Sequence, residues 1–186
     1  PKPGADGETV ASHMSGRVYD RMFVRHWDRW DDGTRSHLFG VTLDTNGVAQ
    51  GEPVDLMQGM DGDTPSKPFG DNADYAISPD NKTVFFSVRL AGRSEPWSTN
   101  FDIYRVPIDG RGAAQDLTGA NPAWDAGPVP SPDGRVLAYR AMKRAGFEAD
   151  RFGVRLLDLA TGQSREIDPG WDRSAQSLSL IHISEP

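Results

Sequence analysis

One stretch of this chain occurs twice, and that repetition restricts the fold more than any other feature. Residues 74–89 read DYAISPDNKTVFFSVR, and residues 127–142 read GPVPSPDGRVLAYRAM. In both, a short apolar segment runs into Ser-Pro-Asp. A residue tolerant of positive φ follows (Asn81 or Gly134), then a basic residue, then a second apolar segment. Pro79 and Pro132 set φ near −65° for the first central turn position, and Asp80 and Asp133 can bond the backbone two residues on. The expected product is a β-hairpin in each copy. Ser131 follows Ser78 by 53 positions (131 − 78), and self-similarity at this period points to stacked sheets or blades rather than one globular core.

The segments flanking the corner repeat as well. Phe39, Val41 and Leu43 match Tyr104, Val106 and Ile108, and more loosely Arg155, Leu157 and Leu159. Each set ends in a turn: Asn46-Gly47, Asp109-Gly110 or Thr161-Gly162. A short strand then carries an acidic residue before an apolar one: Asp55-Leu56, Asp116-Leu117 or Glu166-Ile167. The unit is therefore strand, Ser-Pro-Asp corner, strand, loop, strand, Gly turn, strand. Four antiparallel strands in about 50 residues describe a propeller blade. The fold class expected is all-β, a partial β-propeller of about three four-stranded blades, WD40-like or TolB-like, with at least one blade incomplete and open edges at both ends.

Upstream, residues 17–30 (RVYDRMFVRHWDRW) alternate roughly with period two and predict a strand; a helix over 18–30 is the alternative. Asp31-Asp32-Gly33 then turns the chain into a returning strand over 37–44, and Pro53–Met57 predicts a further short strand. Residues 1–16 are polar and rich in Gly and Pro, and read as a flexible lead-in to a propeller domain over 17–177. Pro1 stands where a start Met would, which leaves room for an upstream segment. Trp124-Asp125 precedes Ser131 by seven residues, so Trp171-Asp172 should announce another Ser-Pro-Asp near 178. SLIHISEP (179–186) has no such turn and resembles translated sequencing-adapter sequence, so residues 178–186 are expected to be a non-native tail.

Composition narrows the function classes. A net charge of −7 with no long basic run argues against nucleic acid and anionic membranes as partners. No cysteine is present, which removes disulfides, thiolate nucleophiles and Cys-ligated zinc. No apolar run is long enough to cross a bilayer. The chain has no G-x-S-x-G, no H-E-x-x-H and no P-loop, and Asp61-Gly-Asp63 is too sparse for an EF-hand. His26 and Asp28 stand two apart on the predicted strand, sharing a face, but no serine is placed to complete a triad. No catalytic residue, metal or cofactor is expected in this chain.

Two loops are longer than a blade needs: residues 90–100 (LAGRSEPWSTN) and 143–151 (KRAGFEADR). Both fall between the second and third strands of their units, so they should emerge on one rim. Long loops on a rigid scaffold are where binding residues gather. Arg93, Glu95, Trp97, Phe147, Glu148, Asp150 and Arg151 suit a charged peptide end.

Several segments together resemble the N-terminal propeller of the prolyl oligopeptidase family of serine peptidases. They are RHWDRWDDGTRSHLF (25–39), FGDNADYAISPDNKTVFFS (69–87), RSEPWSTNFDIYRVP (93–107), NPAWDAGPVPSPDGRVLAY (121–139), GFEADRF (146–152) and GWDRS (170–174). The nearest likeness is to the bacterial branch of dipeptidyl-peptidase V-like and acylaminoacyl-peptidase-like enzymes, over roughly residues 17–177. Ser-Pro-Asp-Gly alone is unspecific; RHWD, GFEADR and GWDRS in combination are not. The resemblance implies a two-domain parent whose α/β-hydrolase domain, with its Ser-Asp-His triad, lies outside this chain. The propeller would limit access to short peptides and hold the substrate's free amino terminus. It implies substrate-binding roles for Glu148 first, then Asp150, Glu95 and Trp97. The alternative is a non-catalytic TolB-like propeller used for protein docking; a G-x-S-x-G some hundreds of residues downstream would separate the two.

Overall fold

The computed structural model of this chain describes residues 16, 18–26 and 28–180. The expected lead-in, apart from Gly16, and positions 181–186 of the expected tail lie outside the described residues. Both Ser-Pro-Asp segments form the same corner, bond for bond. The Ser78 hydroxyl donates to Asp80 Oδ1 (2.6 Å) and accepts from the Thr83 amide (2.9 Å), and Asp80 Oδ1 also accepts from the Lys82 amide (3.1 Å). Ser131, Asp133, Arg135 and Val136 repeat this at 2.6, 2.9 and 3.0 Å. Asn81 (φ 57°) and Gly134 (φ 68°) take the left-handed position that closes the turn. These bonds favour the ionised form, so the pKa values of Asp80 and Asp133 fall, the serine hydroxyl being the main cause.

Among the described residues the first element is a small hairpin of β1 (Arg25–His26) and β2 (Arg29–Trp30). A two-stranded sheet of β3 (Phe39–Leu43) and β4 (Ala49–Asp55) follows. Next comes a four-stranded antiparallel sheet in sequential order: β5 (Tyr75–Ile77), β6 (Thr83–Val88), β7 (Asp102–Pro107) and β8 (Gln115–Asp116). A second has the same plan: β9 (Asp125–Pro130), β10 (Val136–Ala141), β11 (Gly153–Asp158) and β12 (Ser164–Ile167). Each Ser-Pro-Asp corner joins the first two strands, each long loop the second and third, and each Gly turn the third and fourth. Among the described residues the fold is a partial β-propeller with two complete blades and half of a third, because β3 and β4 occupy the places of a blade's last two strands.

Period-two alternation along β6 cements the blades. Val84, Phe86 and Val88 enter one core with Leu56, Met57 and Val106, beside β3–β4. Phe85 points the other way, into a second core with Ile103, Leu137, Tyr139, Ala141 and Leu157, between the two complete blades. Phe86 and Ile103 are fully buried, and each such side chain stabilises the fold by about 1.5–3 kcal/mol. Gly40 is required where β3 meets the next blade, since a Cβ there would lie 2.7 Å from the Ile108 carbonyl oxygen. The outer face of β3–β4 stays open, with Phe39 and Leu43 more than half exposed.

Three expectations need correction. Residues 18–30 do not form a long strand paired with 37–44; β1 and β2 pair with each other, and β3 pairs with β4. Asp28 lies in the turn between β1 and β2, so it does not share a strand with His26. The strand expected over Pro53–Met57 starts earlier and stops at Asp55, where the Asp55 carboxylate accepts the Met57 amide (2.8 Å) and turns the chain.

Candidate functional site

The loop after β6 is built around two half-buried arginines, Arg89 and Arg35. Arg89 directly follows β6, where the other repeat has Met142. Its Nη1 donates to the Ser98 carbonyl (2.9 Å), its guanidinium lies over the Phe101 ring (4.9 Å), and Nη2 is 3.6 Å from Glu95 Oε1. Burial pulls the Arg89 pKa down and Glu95 opposes it. Arg35 reaches in from before β3 and grips Glu95 with both ends of its fork, at 3.0 and 2.8 Å. It also binds Asp61 (2.8 Å) and Asp63 (2.9 Å). Its pKa rises, chiefly through the Glu95 bonds and against the effect of burial. Glu95 is thus fixed on a 3-10 helix (Gly92–Trp97) that ends in Trp97, whose side chain is 70% exposed. Glu95 also forms part of the wall of a cavity of about 470 Å³, together with Arg21, Arg25, Trp30 and Lys67.

The loop after β10 is tied to the first. The Gly146 amide donates to Thr99 Oγ1 (2.8 Å), so both long loops meet on one rim, as their positions in the repeat predict. Within the second loop Asp150 accepts from the Lys143 and Arg144 amides (both 2.8 Å) and from Arg144 Nε (3.0 Å). Burial raises the Asp150 pKa, but these donors outweigh it and bring it to about 2. The Arg144 guanidinium in turn sits 4.0 Å from the centre of the Phe147 ring. Glu166 on β12 anchors the loop's two ends through Lys143 and Arg151, both at 2.7 Å.

The four residues singled out by sequence therefore differ in how committed they are. Glu95 is engaged by Arg35 and Arg89, and Asp150 by its own loop. Trp97 projects into solvent. Glu148 is exposed and makes no hydrogen bond or ion pair among the described residues, although its charge acts on Arg89. Sequence reasoning missed Arg35 and Arg89. The break in the repeat at Arg89/Met142 was a usable signal for one of them; nothing local marked Arg35, whose partner Glu95 is 60 residues away.

Beneath the rim, the seam between the two complete blades is partly polar. Phe101 stacks on Trp124 (4.7 Å), which meets Phe152 edge-on (5.7 Å). Asp125 beside them is fully buried. Its amide donates to the Phe101 carbonyl (2.9 Å), its carbonyl accepts from Ser87 Oγ (2.7 Å), and its Oδ1 accepts from Asn121 (2.8 Å). Asp125 Oδ2, Asp102 Oδ1 and Asn100 Oδ1 are buried acceptors without a donor. Burial pushes Asp125 up to about 7 and Asp102 to about 6, the charge of Asp116 adding to the latter. His37, near the other sheet, has its two ring nitrogens on the Asp55 carboxylate (2.9 Å) and the Met60 carbonyl (3.1 Å).

No family model matches the chain. It is 32% identical over 175 residues to a probable dipeptidyl-peptidase 5 of Emericella nidulans, covering 88% of this chain and 24% of that protein. It is 34% identical over 158 residues to the dipeptidyl-peptidase 5 of Porphyromonas endodontalis, covering 84% and 22%. Among solved structures, a putative TolB from Agrobacterium tumefaciens aligns with TM-score 0.43 and 19% identity, over 64% of this chain and 35% of that one. The chain spans about a quarter of the length of the curated relatives it matches. By sequence, then, the chain is a homologue of part of these dipeptidyl-peptidase 5 proteins along 84–88% of its own length.

Proposed function

We propose that this chain is the substrate-gating propeller portion of a serine exopeptidase of dipeptidyl-peptidase type that acts on short peptides. The carboxylate of Glu148 accepts the ammonium of the peptide's free amino terminus. Glu95 and Asp150 support it by fixing the two loops of the rim, and Trp97 flanks the bound chain. Hydrolysis itself belongs to an α/β-hydrolase domain outside these 186 residues. The observation that carries this reading is the contrast among the three rim acids: Glu95 and Asp150 are committed to arginines and amides, whereas Glu148 is exposed beside them and makes no hydrogen bond or ion pair among the described residues. A carboxylate so placed makes a short charge-assisted bond with an ammonium group. The cavity of about 470 Å³, walled in part by Glu95 but not by Glu148, falls in the size range of small-ligand sites.

The test is Glu148→Gln in the whole enzyme. The value of kcat/KM for free-amine dipeptide substrates should fall by about 1–3 kcal/mol of transition-state stabilisation, the scale of a lost charge-assisted bond. Turnover of N-acetylated substrates should stay where it was. An unchanged kcat/KM for the free-amine substrates removes Glu148 from the site.

A further inference from the structure

Large aromatic side chains are normally covered, because each carries a large apolar surface. On this rim two are not: Trp97 is 70% exposed and Phe147 43% exposed. They sit on different loops, yet the Gly146–Thr99 bond joins those loops one residue from Phe147 and two from Trp97. The loop segment that carries each ring is braced. Trp97 closes the 3-10 helix that Arg35 and Arg89 hold through Glu95, while the Ser98 carbonyl next to it accepts from Arg89. Phe147 is capped on one face by Arg144, which Asp150 orients. Glu148 adjoins Phe147 in the chain, and its charge reaches the same Arg89. The rim thus offers two exposed aromatic side chains on braced loops, beside a carboxylate that makes no hydrogen bond or ion pair among the described residues. Exposed aromatics on a supported scaffold are the residues that dominate recognition surfaces.

We propose that Trp97 and Phe147 form a side-chain subsite, and that its occupant is a peptide with a free amino terminus and a large apolar or aromatic first residue. This rests on the assignment of Glu148 to the ammonium. The carboxylate fixes the amino end, and the two rings then read the side chain next to it. Loops already braced by their acids need little ordering on binding, so discrimination comes from contact with the side chain.

The experiment is an NMR titration of the 186-residue chain with Phe-Ala-amide, Gly-Ala-amide and the N-acetyl form of each. Phe-Ala-amide should bind about three- to tenfold more tightly than Gly-Ala-amide, the scale of one aromatic pair. Trp97→Ala and Phe147→Ala should each reduce that ratio, and the double variant should bring it to about one with Gly-Ala-amide unchanged. Both side chains are exposed, so the variants should keep the wild-type amide spectrum away from the rim. A ratio near one in the wild type, a ratio that survives in the double variant, or no binding by any of the four peptides overturns the proposal. Acetylation and Glu148→Gln report on the other assignment separately. If acetylated peptides bind as well as free ones while the Phe/Gly ratio persists, the aromatic subsite stands and the role of Glu148 falls.

Discussion

Replacing Asp125 by asparagine should stabilise this protein at pH 8. Asp125 is fully buried at the seam between the two complete blades, and one of its carboxylate oxygens has no donor. Loss of solvation lifts its pKa to about 7. The bonds from Asn121 and Thr118 oppose that lift, the charge of Asp102 adds to it, and Arg155 opposes it. The unfolded chain ionises near 3.9, so between roughly pH 4 and pH 7 the folded state binds more protons than the unfolded one. Stability must therefore fall as pH rises through that window and level off above it. A displacement of about 3 units at 1.36 kcal/mol each limits the cost to about 4 kcal/mol. Asp102 titrates in the same window, near 6, and the two groups are coupled, so their costs do not add. Asp125→Asn would keep the acceptor for Asn121 and remove the buried charge. Urea melts followed by tryptophan fluorescence from pH 5 to pH 8 would measure it. Wild type should lose about 2–4 kcal/mol across the range, and Asp125→Asn should lose clearly less and exceed wild type at pH 8. An unchanged pH slope, or a variant weaker than wild type at pH 8, would refute the reasoning.

Two other outcomes follow from the same structure. Arg35→Met removes one of two cationic partners from each of Asp63 and Glu95, whose side chains are 7% and 14% exposed, leaving Lys67 to the first and Arg89 to the second, and should cost about 2–4 kcal/mol in a urea melt; a loss under about 1 kcal/mol would mean the rim does not depend on that hub. The 186-residue chain contains no G-x-S-x-G and should not be labelled by a serine-reactive fluorophosphonate, so covalent labelling would place a nucleophile within it.

The parts of this fold legible in the sequence are those whose forces are local. The Ser-Pro-Asp corner is closed by bonds spanning no more than five residues, so its residues declare it wherever they occur. Asn46-Gly47 likewise announces β3–β4. Residues 18–30 mislead because their alternation is imperfect: Phe23 and Trp27 are odd-numbered and Trp30 is even. A strict two-residue period is what commits a segment to a sheet face. In place of a long strand, the Asp31 amide returns to the Val24 carbonyl (3.0 Å) and closes a short hairpin, with Tyr19 stacked on Trp30 at 6.2 Å. The same division separates the rim acids. Asp150 finds its donors six and seven residues back, within its own loop. Glu95 is held by an arginine 60 positions earlier, a partnership that exists only once the blades have packed. A sequence shows that a carboxylate is present; whether it is still available to a ligand depends on which cations the fold delivers to it. Glu148 qualifies as a candidate ligand because the blades bring Arg35 and Arg89 to Glu95 and leave Glu148 exposed beside them.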